Sequence, residues 1–250
     1  MSRLGIVSAT VLAFLALGQG MLASEAEDTR TALNLARLLQ AGRAVISANQ
    51  ALINDPNIGD KGLTGDVVLA ATIEIYKKTT QIDPLSVDPE SREGRLLRAG
   101  METIKEVTDE NQSFINREGV GFKAFIPAVF GRLVTERLQD KIGEEAEIKI
   151  TAPPELVRNR KARPDEWERQ VIESRLLSPE WPRGQFFAEA YRSKGRDAFR
   201  VAVPEYYGAS CLSCHGEKKG EIDITGYPKE GAKEGDLGGV ISITLFHANE

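Results

Sequence analysis

Gly238-Gly239-Val240-Ile241-Ser242-Ile243-Thr244-Leu245-Phe246 is the strongest strand signal in the chain, and it stands near its end. β-Branched and aromatic side chains favour extended backbone, and the double glycine punctuates its start. Working back from it, Gln185 to Arg192 and Ala198 to Val203 are rich in Phe, Tyr and Val. They flank Ser193-Lys194-Gly195-Arg196-Asp197, which reads as a hairpin turn. Glu145 to Ala152 alternates charged and apolar residues as a half-buried strand does, and Asp165 to Leu177 reads as a helix that begins just after Pro164. Further upstream the period is helical. One helix is predicted over about Lys123 to Ile142, after the turn Arg117 to Gly121 and up to Gly143, and another over about Glu90 to Asn116. A third covers Asp66 to Gln81, with its apolar face at Val67, Ala70, Ala71, Ile73 and Ile75. The first stripe runs through Leu35, Leu38, Leu39, Gly42, Val45, Ile46, Asn49, Leu52 and Ile53 and stops near Asn54-Asp55-Pro56. Helices first, then a hairpin and a closing strand, predict an α+β fold with an antiparallel sheet.

The 250 residues are 41% hydrophobic and 28% charged, enough to bury a real core. A formal net charge of −5 supplies no basic field for nucleic acid. Arg3, the apolar run Leu4 to Leu17 and the small residues around Ala23 and Ala26 read as an export signal, cleaved or kept as a single anchor. The predicted organisation is therefore 1–26 signal or anchor, 27–84 an N-terminal helical region and 85–250 the main domain, with the folded part periplasmic, outside the cytoplasm. The membrane is a partner only if the segment is retained.

Only two cysteines occur, in Cys211-Leu212-Ser213-Cys214-His215. Two thiols at this separation suit thioether bonds to the two vinyl carbons of a haem, and the adjacent histidine reaches the iron from the same loop. A vicinal disulfide-type pair, a thioredoxin-like redox pair or half a zinc site are the alternatives, and no further cysteine exists to complete a zinc site. The reading is one covalent haem c, held by Cys211 and Cys214, with His215 as proximal ligand. Sixth-ligand candidates are Met101 and His247, each with a plainer role as core filler or solvated end. Arg158, Arg160, Lys161 and Arg163 are candidate partners for haem propionates. Phe122, Phe125 and Phe130, around Pro127, are candidates to line the haem, as are Tyr206 and Tyr207 just before the motif. No catalytic constellation stands out, so a binding protein rather than an enzyme is expected.

Taken together these residues resemble the PAS-like c-type haem domains that occur as extracytoplasmic sensor regions of bacterial histidine kinases and as a free-standing cyanobacterial single-haem cytochrome. The resemblance lies in Ala48-Asn49-Gln50-Ala51-Leu52, Gly119-Val120-Gly121-Phe122-Lys123-Ala124-Phe125-Ile126-Pro127-Ala128, Arg158-Asn159, Pro164 to Glu168 and Cys211 to Gly216. It extends through Asp223 to Gly231 and Glu234 to Leu237, from about Leu35 to Phe246 in all. It implies a PAS-like antiparallel sheet flanked by helices, haem near the end of the sheet, and redox or ligand sensing. The cyanobacterial relative is similar in taking its second axial ligand from a helix cysteine, but both cysteines here serve attachment, and Phe125 to Phe130 stand in that helix. Arg160 and Arg163 also depart from the smaller or proline residues of the family's loop. Two functions follow as expectations: a redox or small-gas sensing module that signals to a partner outside the cytoplasm, or a periplasmic electron-transfer cytochrome docking with a redox partner. The chain closes soon after its last strand, so no attached transmitter is expected.

Overall fold

The structure is a computed structural model describing the backbone of residues 6–247 and the side chains of residues 24–247. The expected signal segment falls largely outside the described side chains. Among the described residues no helix is long and apolar enough to cross a membrane.

Among the described residues eight α-helices and four strands follow in order: α1 (Ile6–Ala48), α2 (Gln50–Ile53), α3 (Gly65–Thr80), α4 (Arg92–Glu110), α5 (Gln112–Ile115), α6 (Pro127–Ile142), β1 (Ala146–Thr151), α7 (Glu166–Val171), β2 (Phe187–Ser193), β3 (Arg196–Tyr206), α8 (Leu212–His215) and β4 (Leu237–Phe246). Local chemistry sets most boundaries. The hydroxyl of Thr64 accepts from the Val67 N–H to start α3, and Ser91 accepts from Gly94 to start α4. Pro127 opens α6 after the extended Ile126, because proline is at home in a first turn and disfavours a helical residue before it. A reciprocal capping box of Asp165 and Glu168 starts α7.

The strands form one antiparallel sheet in the order β1-β4-β3-β2. Lys194 and Gly195 both take positive φ, 52° and 78°, which gives the two-residue β2–β3 hairpin the twist its strands need. Alternation along β3 and β4 sends Phe199, Val201, Ile241, Ile243 and Leu245 to one face, where they share a core with α1, α4 and α6. The other face carries Ala202, Val240 and Leu237 against Trp167, Val171 and Ile172. The fold is α+β, an antiparallel sheet between helices, as expected. The main core runs without a break from Ala32 to Leu245, so α1 and α3 pack into the same interior as the sheet.

Two details of the helices differ from expectation. In α3 the buried stripe is Val68, Thr72 and Tyr76, while Val67 is 48% exposed. Thr72 can be buried because its hydroxyl donates to the Val68 carbonyl at 2.7 Å, so the covered face is not the most apolar one. The run from Glu90 breaks at Asn111, whose side chain turns back to the Val107 carbonyl and separates α4 from α5.

Register also fixes where the motif lies. Tyr206 of β3 pairs with Leu237 of β4, so residues 207–236 leave and return at the same end of the two central strands. That excursion contains Cys211 to His215.

Candidate functional site

The motif is a short 3-10 turn, Ala209–Cys211, running into the single turn α8. Residues three and four apart on such a turn share a side, which groups Cys214 and His215 with Cys211. Both thiols are free and half-buried. Gly216 ends the turn with its N–H on the Leu212 carbonyl, and a Cβ there would lie 2.5 Å from that same oxygen. A larger residue at this position would open the turn.

His215 is held on two sides. Its ring stacks on Tyr207 at 4.7 Å between centroids and 24° between planes. Its Nδ1 lies 2.8 Å from Glu230 Oε2 and 3.3 Å from the Tyr207 hydroxyl. Glu230 in turn is gripped by Arg158, whose Nε and Nη2 donate to its two oxygens at 2.8 and 3.1 Å. Arg158 Nη1 donates to Asp223 at 2.7 Å and to Thr225 at 3.3 Å, and Nη2 also reaches the Cys214 carbonyl at 3.0 Å. A guanidinium has five N–H donors, and these contacts use all of them. Arg158 is therefore committed inside the protein, leaving the exposed Arg160 and Arg163 as the loop's outward cations, with Lys161 paired to Glu136.

Charge states follow from these contacts. Burial works to raise the Glu230 carboxyl, but the bonds from Arg158 and His215 outweigh it and hold the group below the usual carboxylate range. Burial likewise opposes ionisation of Asp223, and the hydroxyl of Thr225, Arg158 and the backbone N–H groups of Tyr227 and Thr225 override it, keeping the carboxyl far below its ordinary value. Tyr207 is pushed up to about 12, chiefly by burial and then by the nearby Glu230, so it stays a neutral phenol. An ionised Glu230 can only accept, so Nδ1 of the imidazole carries a proton, and in the neutral ring Nε2 is then the nitrogen with the lone pair.

The remaining expected site residues are distributed between this site, the core and the far end of the sheet. Phe125 and Phe130 meet edge to face at 5.9 Å in the main core, Phe130 lying against Gly42 of α1, and Phe122 is half-buried. Tyr206 accepts from the Gly184 N–H through its hydroxyl. Met101 is buried in the core of α4. His247 bonds Asp28 at 2.7 Å, just past the end of β4 remote from the motif. Ten residues of strand at about 3.3 Å each put roughly 30 Å between them. Glu230, Asp223 and Thr225 fall within the stretch Asp223 to Gly231 that carries the resemblance, but no site role is expected of them from the sequence. The sequence also gives no sign that α1 touches the turn before the motif through Ser47 and Ser210 or pairs Arg43 with Glu205 of β3. No spacing rule links partners 72 positions apart, as Arg158 and Glu230 are.

A family model described as Tll0287-like matches residues 86–245, more than half of the chain and the whole of the site just described. The chain belongs to the Tll0287-like family. Comparison with curated proteins and with solved structures finds no match. The Tll0287-like region takes in α4 to β4, while α1 to α3 precede it and complete its core. Cys211 and Cys214 have the spacing of a haem-attachment motif, and the chemistry of the donor set fits that group: two reduced thiols on one turn, and an imidazole whose Nδ1 is already bonded.

Proposed function

We propose that this Tll0287-like chain is an exported single-haem c-type protein that binds its haem through Cys211 and Cys214, with His215 as proximal ligand. It acts outside the cytoplasm as a redox or small-ligand sensing module, not as an enzyme, and passes its state to a redox or signalling partner there. The observation that carries this reading is the His215–Glu230 bond, which fixes the tautomer with Nε2 as the free donor atom. Haem, when bound, would supply a one-electron couple and a site for a small neutral ligand. The thiols bind, Tyr207 fixes the plane of the imidazole, and Glu230 holds its proton at Nδ1. Electron transfer is the second reading. It is favoured by the half-exposure of both thiols on an outer loop, which keeps the attached edge near solvent and a docking partner.

Protein made in cells with a haem-attachment system is expected to carry the mass of one haem per chain. An unmodified mass with two free thiols overturns the reading. His215→Ala is expected to abolish the histidine-ligated absorption spectrum, and an unchanged spectrum removes His215 from the role.

The distal side is expected to lack a strong protein ligand, because Met101 lies in the core and His247 stands a strand's length away. The ferrous protein should bind CO readily, and Met101→Ala and His247→Ala should each leave its spectrum nearly unchanged. A low-spin to high-spin change in either variant would identify that residue as the sixth ligand and favour the electron carrier.

A further inference from the structure

We infer that Asp223, Arg158 and Glu230 form a positioning relay that acts through His215 to hold the reduction potential of the bound iron low. The inference rests on the haem reading above and adds a tuning role to residues that do not touch the iron.

The contacts are in series. Asp223 Oδ2 lies 2.7 Å from Arg158 Nη1, Arg158 Nε lies 2.8 Å from Glu230 Oε1, and Glu230 Oε2 lies 2.8 Å from His215 Nδ1. Two carboxylates share one guanidinium, so the relay carries a net charge of −1 on the side of the imidazole away from its free nitrogen. Solvent screens that charge weakly, since the Asp223 side chain has no exposed surface and Glu230 and Arg158 are 17% and 19% exposed. Lys229 does not cancel it, because it is paired with Glu221.

Negative charge accepting the Nδ1 proton makes the imidazole a stronger electron donor at Nε2. Stronger donation and a nearby negative charge both stabilise ferric iron over ferrous, which carries one positive charge less. Reduction takes one electron from an external donor, and the relay makes that step less favourable. Arg158 has a double part: it neutralises one carboxylate and keeps the other pointed at His215, while its bond to the Cys214 carbonyl ties the relay to the attachment turn.

The test is a potentiometric titration with dithionite of the haem-loaded full chain, together with the iron–histidine stretching frequency of the ferrous protein by resonance Raman. Glu230→Gln keeps the size of the side chain and removes the charge. It is expected to raise the reduction equilibrium constant at least tenfold, about 59 mV for one electron, and to lower the stretching frequency. Asp223→Asn, two contacts further away, should shift both in the same direction by less. It also supplies both readouts if Glu230→Gln does not accumulate as folded protein. A purely structural role would change melting or haem content and leave potential and frequency at their wild-type values, and that result overturns the relay. Wild-type protein without haem would instead remove the reading beneath it.

Discussion

Arg158→Met is expected to destabilise the protein by about 3–5 kcal/mol, the usual cost of removing one partner from a buried ion pair. The Asp223 side chain has no exposed surface and Glu230 is 17% exposed, so both carboxylates would be left without their cation in a place water barely reaches. Denaturant unfolding should show a lower midpoint with an unchanged slope. The double variant Arg158→Met, Asp223→Asn should recover part of the loss, because it removes one uncompensated charge, and full additivity of the two changes would contradict the pairing. The sign with pH follows from the depressed carboxyl of Asp223. Its contribution in the wild type is complete above the unfolded value of about 3.9, and it is lost as the pH falls through the lower folded value. Acid unfolding of the wild type should therefore release the 217–236 loop from the motif.

Gly238→Ala is expected to cost about 1–3 kcal/mol and, unlike most overpacking changes, to reach the candidate ligand. A Cβ on this residue of β4 would lie 2.5 Å from Cε1 of Tyr207 and 2.7 Å from Cδ1 and Cζ. Tyr207 is 8% exposed and its ring stacks on the imidazole of His215 at 4.7 Å, so a shift of the ring disturbs the stack that holds His215 beside Glu230. Thermal melting reads the stability change, and the absorption spectrum of the loaded protein reads the displaced ligand. Gly239→Ala is the control next door. Its Cβ would meet the Thr151 carbonyl at 3.2 Å and nothing of Tyr207, so it should leave the spectrum alone.

Features that depend on near neighbours are legible in the order of the amino acids. β4 was legible from its run of β-branched residues, and the hairpin from Lys194-Gly195 between two such runs. The Cys211 to His215 motif was legible as a spacing of the haem-attachment type because five consecutive residues carry the whole signal. Spacing of this kind reports local geometry, since rise and turn per residue are set by the backbone wherever the segment lies. The buried face of α3 was misread for a related reason: apolar counting finds the greasiest stripe, whereas the neighbours α1 and α4 decide which stripe is covered.

The surroundings of His215, by contrast, come from packing between distant segments. Arg158 lies before α7 and Glu230 beyond the motif, and the path of the chain through β2 and β3 brings them within 2.8 Å. Read alone, Arg158 is a loop cation free to meet a propionate, but in the fold all five of its donors are taken and it becomes the support of the histidine's carboxylate. His247 shows the converse, a histidine that sequence can offer as a ligand and that the β3–β4 register carries to the opposite end of the sheet. The physical reason is common to both: which hydrogen bonds a polar side chain makes depends on the groups that packing brings to it, and those groups come from segments whose separation along the chain carries no information about their distance in space.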